Sequence, residues 1–122
     1  MGIATSSSKF NFENKTSHIK EWLKENIDKI VTGDDRRIKK GKPAPDIFIL
    51  AAKELGLEPQ NCVIFEDALS GINAAISSGA KCVVAIPDPR QRKDIENIKY
   101  DKNRTKLIIL NSMDEFDISL IN

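Results

Sequence analysis

Two adjacent carboxylates are the clearest candidates for chemistry in this sequence. Glu66 and Asp67 follow an apolar run at residues 62–65 and precede Ser70 and Gly71, which open a predicted helix. Acids at the carboxyl end of a buried strand lie where open α/β sheets bind their ligands. Because carboxylate oxygens bind hard cations such as Mg²⁺, the pair could form part of a metal site. Capping of the next helix by Asp67 or Ser70 explains the same residues equally well.

Two further groups could contact an anion. Thr5, Ser6 and Ser7 follow a short strand-like start and could offer hydroxyl and backbone N–H groups, although a Ser-rich start is also typical of a helix cap or a frayed tail. Lys42 stands beside Pro43 ahead of a predicted helix. A lysine fixed in such a loop is a compact positive charge suited to a phosphoryl oxygen. An exposed loop lysine is the alternative interpretation.

The elements that must position these residues are helices and buried strands. Apolar residues at three- and four-residue spacing predict helices at residues 19–30, 47–55 and 70–79, and less clearly at 90–99. Val- and Ile-rich runs without polar alternation predict strands buried on both faces at residues 30–32, 62–65, 82–86 and 107–110. Residues 2–4 are typical of the end of a further strand. Strands that alternate with helices favour a parallel sheet, so we predict a single α/β domain over residues 1–122.

Composition excludes several classes of function. The formal net charge of +1 predicts no nucleic-acid partner, and the basic run at residues 36–42 follows two aspartates and is typical of a solvated loop. The apolar runs are much shorter than a membrane span, and no signal-peptide pattern opens the sequence. We therefore expect no membrane partner and a cytoplasmic location. Cys62 and Cys82 are expected to be buried free thiols, and the single histidine, His18, predicts no histidine-based catalytic or metal centre.

The three candidate groups together resemble a known family. Thr5-Ser6-Ser7, then the stretch from Lys42 to Phe48, then Phe65-Glu66-Asp67 with Ser70-Gly71 match the haloacid dehalogenase-like hydrolases in order and spacing. The match is similar to the branch of small sugar- and nucleotide-phosphate phosphatases, which includes pseudouridine-5′-phosphatases and β-phosphoglucomutases. The resemblance implies a Rossmann-like, three-layer parallel sheet and hydrolysis of a small phosphorylated metabolite through an aspartyl-phosphate.

The resemblance also implies a role for each residue. Thr5 corresponds to the hydroxyl that binds the transferred phosphoryl group, with Ser6 and Ser7 beside it. Lys42 corresponds to the lysine that neutralises charge on that group and on the nucleophile. Glu66 and Asp67 correspond to the acidic motif that holds Mg²⁺, with Asp67 favoured for direct contact. These roles agree with phosphoryl-transfer catalysis by positioning and charge stabilisation.

One part of the family pattern is missing. The Asp-x-Asp-Gly-Thr motif at the end of the first central strand has no match in this sequence, and neither has the helical cap domain. That motif would supply the nucleophile, the general acid and base, and part of the Mg²⁺ shell. We therefore predict that this chain alone has no appreciable phosphatase activity and holds Mg²⁺ weakly or not at all. The missing strand should leave two unpaired edges in mid-sheet, closed by direct pairing of the flanking strands or by a second copy of the chain.

Three interpretations follow. The chain is a carboxyl-terminal fragment of a Mg²⁺-dependent phosphatase, or it is a non-catalytic module that keeps the fold for binding or assembly. An upstream Asp-x-Asp-Gly-Thr would distinguish these two. A response-regulator receiver domain also sets acids, a hydroxyl and a Lys-Pro pair around Mg²⁺, but there the acids come first. Here Lys42-Pro43 precedes Glu66-Asp67, which disfavours that class. Fold alone does not decide among them.

Overall fold

Five short strands alternate with helices along the chain. The structure is a computed structural model that describes residues 1–122. The strands are β1 (Gly2–Thr5), β2 (Lys29–Thr32), β3 (Val63–Glu66), β4 (Cys82–Ala85) and β5 (Lys106–Ile109). The α-helices are α1 (Lys9–Lys15), α2 (Lys20–Asn26), α3 (Asp46–Glu54), α4 (Leu69–Ser78) and α5 (Arg92–Glu96). The predicted α/β class is confirmed.

The strands form two separate parallel sheets. β1 pairs with β2, with Thr5 opposite Thr32, and β3, β4 and β5 form the second sheet in that order. β1 and β3 share no ladder, so the predicted direct pairing of these flanking strands is wrong. The physical reason lies in the helices: α3 packs on β1 and β2, α4 packs on β3 and β4, and the two helices contact each other. This packing holds the two sheets apart.

Strand β4 lies at the centre of the main core. All four of its residues have no exposed surface. Val83 and Ala85 face a cluster that includes residues of α3, α4 and α5, whereas Cys82 and Val84 face the opposite side. That second side is covered by Leu110 and by carboxyl-terminal residues that include Phe116, Leu120 and Ile121. Burial on both faces explains why this strand has no polar alternation.

A slot separates β1 from β3. Its volume is about 740 Å³, and it is lined by both strands and by the apolar side of α3. The apolar side chains that line it include Ile3, Ala4, Phe48, Ala51, Ala52, Leu55, Val63, Ile64 and Phe65. Each of the two strands has a neighbour on one side only. The slot therefore presents two unpaired backbone edges, and Phe65 keeps 44% of its surface exposed.

The helix predicted at residues 19–30 is wrong in extent. A 3₁₀ turn at Ser17–Ile19 precedes α2, and Ile30 belongs to β2. Of the apolar stripe only Leu23 is buried, and Trp22 is half-exposed. The apolar spacing continues past the end of α2, although the backbone is already extended at Ile27. Spacing of apolar residues alone does not show where a helix gives way to a strand.

Two other helices differ from prediction. α1 was not predicted; its amino end is capped by Ser8, whose hydroxyl accepts a hydrogen bond from the Asn11 N–H at 3.2 Å. The predicted helix at residues 90–99 is reduced to a 3₁₀ turn followed by the short α5. Both helices are short, and short helices give weak periodic patterns.

The remaining expectations concern thiols, surface charge and membranes. Cys62 and Cys82 are free thiols, as predicted; Cys82 is fully buried and Cys62 half-buried, and burial raises the pKa of both. In the basic run, Arg37 pairs with Asp35 and with Glu54 on the surface. No helix in the structure combines the length and the apolar character that a bilayer span requires.

Candidate active site

The structure brings all the predicted site residues into one cleft. The cleft has a volume of about 810 Å³ and lies at the carboxyl ends of β1 and β3. Thr5 is the last residue of β1 and Glu66 is the last residue of β3. The strands on both sides of the slot therefore contribute residues to the cleft. The predicted residues that line it are Thr5, Ser6, Ser7, Lys42, Glu66 and Asp67.

The loop after β1 is held by its neighbours. The Ser7 N–H donates to Thr5 Oγ1 at 3.2 Å, and the Gly33 N–H donates to the Ser7 carbonyl at 2.8 Å. A side chain at Gly33 would place its Cβ 2.3 Å from the Ser6 carbonyl oxygen, so only glycine permits this approach. Lys15 Nζ also donates to Ser7 Oγ, at 3.4 Å. Thr5 uses its oxygen as an acceptor, which leaves its O–H free to donate into the cleft.

Lys42 is a largely buried residue of its loop, held by contacts with two side chains. Only 12% of its side chain is exposed, and its Nζ donates to Glu66 Oε1 in an ion pair. The ammonium also lies 4.8 Å from the centroid of the Phe48 ring, which is within reach of a cation–π contact. The loop that carries it ends at Pro45, which precedes the first residue of α3. The exposed-lysine interpretation is therefore wrong.

Glu66 turns inward, beneath the first turn of α4. Its side chain is 10% exposed, and while Oε1 accepts from Lys42, Oε2 accepts the Asp67 N–H at 3.2 Å. A Cβ added at Gly71 would lie 2.2 Å from the Glu66 carboxyl carbon and 2.3 Å from each oxygen. The carboxylate therefore occupies the space that a side chain at Gly71 would fill.

Asp67 behaves differently from its neighbour. It is exposed to the cleft, and its carboxylate makes no hydrogen bond and no ion pair within the chain. α4 begins after Ala68, without a side-chain capping bond, so the helix-capping explanation for Asp67 and Ser70 is wrong. The carboxylate of Asp67 is therefore free to bind a group that enters the cleft.

The chain alone does not build a complete cation site. No group of three or more His, Cys, Asp or Glu side chains converges anywhere in the structure. Asp67 offers one free carboxylate, and Glu66 is committed to Lys42. Mg²⁺ requires octahedral coordination, commonly by one or two carboxylates with waters and phosphate oxygens. Asp67 fits as one such ligand, but the residues present do not complete the set.

Sequence reasoning missed several residues of the cleft. Gly71 was identified only as part of a motif, although it makes room for Glu66, and Phe48, which lies outside the cleft, contacts Lys42 from behind. Ile86 and Met113 also line the cleft, from the end of β4 and from a carboxyl-terminal 3₁₀ turn. A glycine one turn into a helix was the available signal for Gly71. No local pattern marks Met113, because the fold brings it to the cleft from a distant segment.

A family model described as haloacid dehalogenase-like hydrolase matches residues 1–79 of the chain. The chain belongs to the haloacid dehalogenase-like hydrolase family. The resemblance deduced from its motifs is confirmed. The matched part includes Thr5, Lys42, Glu66 and Asp67, the residues that converge on the cleft.

Individual proteins that are similar to this chain support its assignment to the family. A probable pseudouridine-5′-phosphatase of Saccharomyces cerevisiae is 37% identical over 98% of this chain and 52% of its own length. A haloacid dehalogenase-like hydrolase of Entamoeba histolytica, family IA variant 3, superimposes with a TM-score of 0.73 at 31% identity, over 98% of this chain and 50% of that one. CbbY from Rhodobacter sphaeroides, solved with phosphate, gives a TM-score of 0.70 at 29% identity, over 93% and 47%. The chain thus spans about half the length of these proteins.

Proposed function

We propose that this chain forms part of a phosphatase that acts on small phosphomonoesters, such as sugar or nucleotide phosphates. The observation that carries the proposal is the convergence of Thr5, Lys42 and Asp67 on one cleft. A hydroxyl donor, a held ammonium and a free carboxylate are the groups that bind and neutralise a phosphoryl group and its cation. The cytoplasmic location expected from the sequence stays a prediction.

Each residue has a distinct task in this proposal. The Thr5 O–H and the Lys42 ammonium donate to phosphoryl oxygens, and Lys42 also balances the charge that gathers there during transfer. The loop at Ser6 and Ser7 bounds the phosphate on one side. Asp67 supplies one ligand to Mg²⁺, which, when bound, offsets the negative charge of the phosphoryl group. The chain positions the substrate, and these residues perform no bond-making step themselves.

The covalent chemistry requires residues that this chain does not contain. In the family route, an aspartate carboxylate oxygen attacks phosphorus while the ester P–O bond breaks, and a second aspartate gives a proton to the leaving alcohol. The second aspartate, now deprotonated, then takes a proton from water, whose oxygen attacks phosphorus while the P–O bond to the first aspartate breaks, which releases inorganic phosphate and restores both side chains. Neither aspartate has a counterpart in this sequence, so we expect that the chain alone does not hydrolyse phosphomonoesters.

We place the missing strand in the slot between β1 and β3. Both bordering edges are unpaired, the walls are apolar, and about half of the length of the relatives lies outside the match. A strand parallel to β1 and β3 would satisfy both edges and end beside Thr5, Lys42 and Asp67. Its terminal carboxylates would then face the cleft. A second copy of this chain is the competing occupant.

The proposal is tested by completing the protein. The unmatched half of the yeast relative is joined to this chain, and hydrolysis of p-nitrophenyl phosphate is measured with and without Mg²⁺. We expect Mg²⁺-dependent turnover from the fusion that is lost at limiting Mg²⁺ in Asp67→Asn and absent from the chain alone. A matched control, Asp114→Asn, changes an exposed acid that lies outside the cleft and should leave turnover unchanged.

Two results would contradict the proposal. Turnover by the chain alone that disappears in Asp67→Asn would show that no further strand is needed. A folded fusion without activity toward any phosphomonoester would favour the non-catalytic module.

The oligomeric state of the isolated chain tests what occupies the slot. A dimer of the isolated chain that loses its self-association on fusion would identify the second copy as a substitute occupant of the slot.

A further inference from the structure

The carboxylate of Glu66 is enclosed by the protein rather than open to the cleft. Its side chain is 10% exposed, and both oxygens already accept hydrogen bonds, one from the Lys42 ammonium and one from the Asp67 N–H. A cation in the cleft would have to displace one of these donors to reach it. The adjacent Asp67 carboxylate has no such partner and is exposed. The two neighbouring acids therefore have different tasks.

The first turn of α4 is shaped around this carboxylate. A side chain at Gly71 would overlap all three atoms of the Glu66 carboxyl group at 2.2–2.3 Å. Gly71 itself is buried and has no positive φ angle, so no backbone conformation requires glycine there. Space for the Glu66 carboxylate is the physical reason that the structure gives for this glycine. The enclosure of Glu66 is thus built by two separate segments of the chain.

Lys42 depends on this arrangement. A lysine with 12% of its side chain exposed requires a nearby counter-charge, because a desolvated ammonium is costly without one. Glu66 supplies that charge, and the Phe48 ring supplies a second contact at 4.8 Å. An ammonium has three N–H donors, and Glu66 takes one of them. The others remain available for an oxygen of a bound phosphate.

We propose that Glu66 is a positioning residue, which fixes the Lys42 ammonium toward the phosphate position and is not a ligand of the metal ion. This inference rests on the proposed function, and it replaces the sequence-based expectation that both Glu66 and Asp67 bind Mg²⁺. Asp67 is then the only carboxylate of the pair that serves the cation. Substitution of Glu66 should therefore affect the catalytic rate through Lys42, whereas substitution of Asp67 should affect the Mg²⁺ requirement. If both acids bound the metal, both substitutions would affect the Mg²⁺ requirement.

The geometry is tested first in this chain, without any activity. The NMR signal of a lysine ammonium is visible when proton exchange is slowed by an ion pair, and Lys42→Arg assigns the signal of Lys42. We expect that signal to vanish in Glu66→Gln and to persist in Asp67→Asn. Glu66→Asp, which keeps the charge but is one methylene shorter, should weaken it. Persistence of the signal in both Glu66 variants would overturn the proposal.

The consequence is tested in the fusion that carries the missing half. Glu66→Gln should lower kcat about tenfold to a hundredfold, because a small displacement of a catalytic group has effects of that order. Its half-saturating Mg²⁺ concentration should change less than twofold. Asp67→Asn should raise that concentration at least about tenfold. Glu96→Gln, which breaks an exposed pair with Arg92 on α5, is the matched control and should change neither quantity.

Equal increases in the Mg²⁺ requirement for Glu66→Gln and Asp67→Asn would assign Glu66 to the metal and overturn the proposal. Failure of the proposed function is distinguishable from this result. If the unsubstituted fusion folds but has no turnover, the proposed function fails, whereas the ammonium signal in the isolated chain still decides whether Glu66 holds Lys42.

Discussion

Strand β4 and the two strands that border the slot have similar apolar sequences but different surroundings. β4 has a hydrogen-bonded neighbour on each side, and none of its residues is exposed. β1 and β3 each lack a neighbour on the side that faces the slot, and Phe65 of β3 is 44% exposed. Apolar strands without polar alternation are typical of sheet interiors. The difference indicates that β1 and β3 are interior strands whose shared neighbour is absent from this chain.

Matched valine substitutions should give the largest difference between these regions. Val83→Ala removes two methyl groups from a side chain with no exposed surface, and the lost burial together with the new cavity should cost about 2 kcal/mol in the free energy of unfolding. Val63→Ala, in β3 beside the slot, should cost less than about 1 kcal/mol because its site is already partly open. Urea unfolding measures both. Equal losses would mean that the slot wall is as well packed as β4.

A substitution at Gly71 should affect the site through packing. The Cβ of Gly71→Ala would overlap the Glu66 carboxylate, and we expect a loss of about 1–3 kcal/mol in unfolding free energy. Gly41→Ala is the matched control, because no atom lies within 4 Å of the added Cβ. It should change stability by less than about 0.5 kcal/mol. A neutral Gly71→Ala would show that Glu66 has room to move and that its enclosure is loose.

The two cysteines report on the slot directly. Cys62 is half-buried and lines the slot, whereas Cys82 in β4 has no exposed surface. Burial raises the pKa of both thiols, so both are less reactive than a free cysteine at neutral pH. We expect a thiol reagent to modify Cys62 at least about tenfold faster than Cys82, as followed by mass spectrometry. In the fusion, Cys62 should become protected, and unchanged labelling there would argue against a strand in the slot.

The smallest effect is expected from a surface ion pair that belongs neither to β4 nor to the strands beside the slot. Arg37 holds the pKa of Asp35 at about 2 through hydrogen bonds to its carboxylate. Because the pKa is lowered on folding, this contribution is present above the ordinary value near 3.9 and is lost as pH falls through about 2. An NMR titration should move the Asp35 midpoint up toward about 4 in Arg37→Gln. An unchanged midpoint would mean that Arg37 is not its partner.

The sequence predicted the parts of the fold that depend on local pattern. The α/β class, the parallel strands and helices α3 and α4 follow from apolar runs and periodicity, and Gly79 ends α4 in a left-handed conformation, as its position indicated. The convergence of Thr5, Lys42 and Asp67 was implied by the family resemblance, with Thr5 and Asp67 at strand ends and Lys42 in the loop before α3. These features are local, or are fixed by the general geometry of parallel sheets.

Other features depend on distant contacts and could not be derived in this way. The different environments of Glu66 and Asp67 arise from Lys42 and from Gly71, which approach from two other segments. The slot exists because α3 and α4 hold two sheets apart, which no single stretch of sequence encodes. Met113 reaches the cleft only through the path of the carboxyl-terminal segment. Sequence spacing describes neighbours along the chain, whereas these features depend on contacts between segments that are far apart in sequence.

Amide hydrogen exchange tests the central claim, that a further strand completes the sheet between β1 and β3. The exchange of slot-facing amides in β1 (Gly2–Thr5) and β3 (Val63–Glu66) is compared between the isolated chain and the fusion, with β4 (Cys82–Ala85) as the internal reference. We predict that these amides exchange at least about a hundredfold more slowly in the fusion, because they gain hydrogen bonds, while the β4 amides change little. Unprotected edges in a folded fusion would contradict the claim.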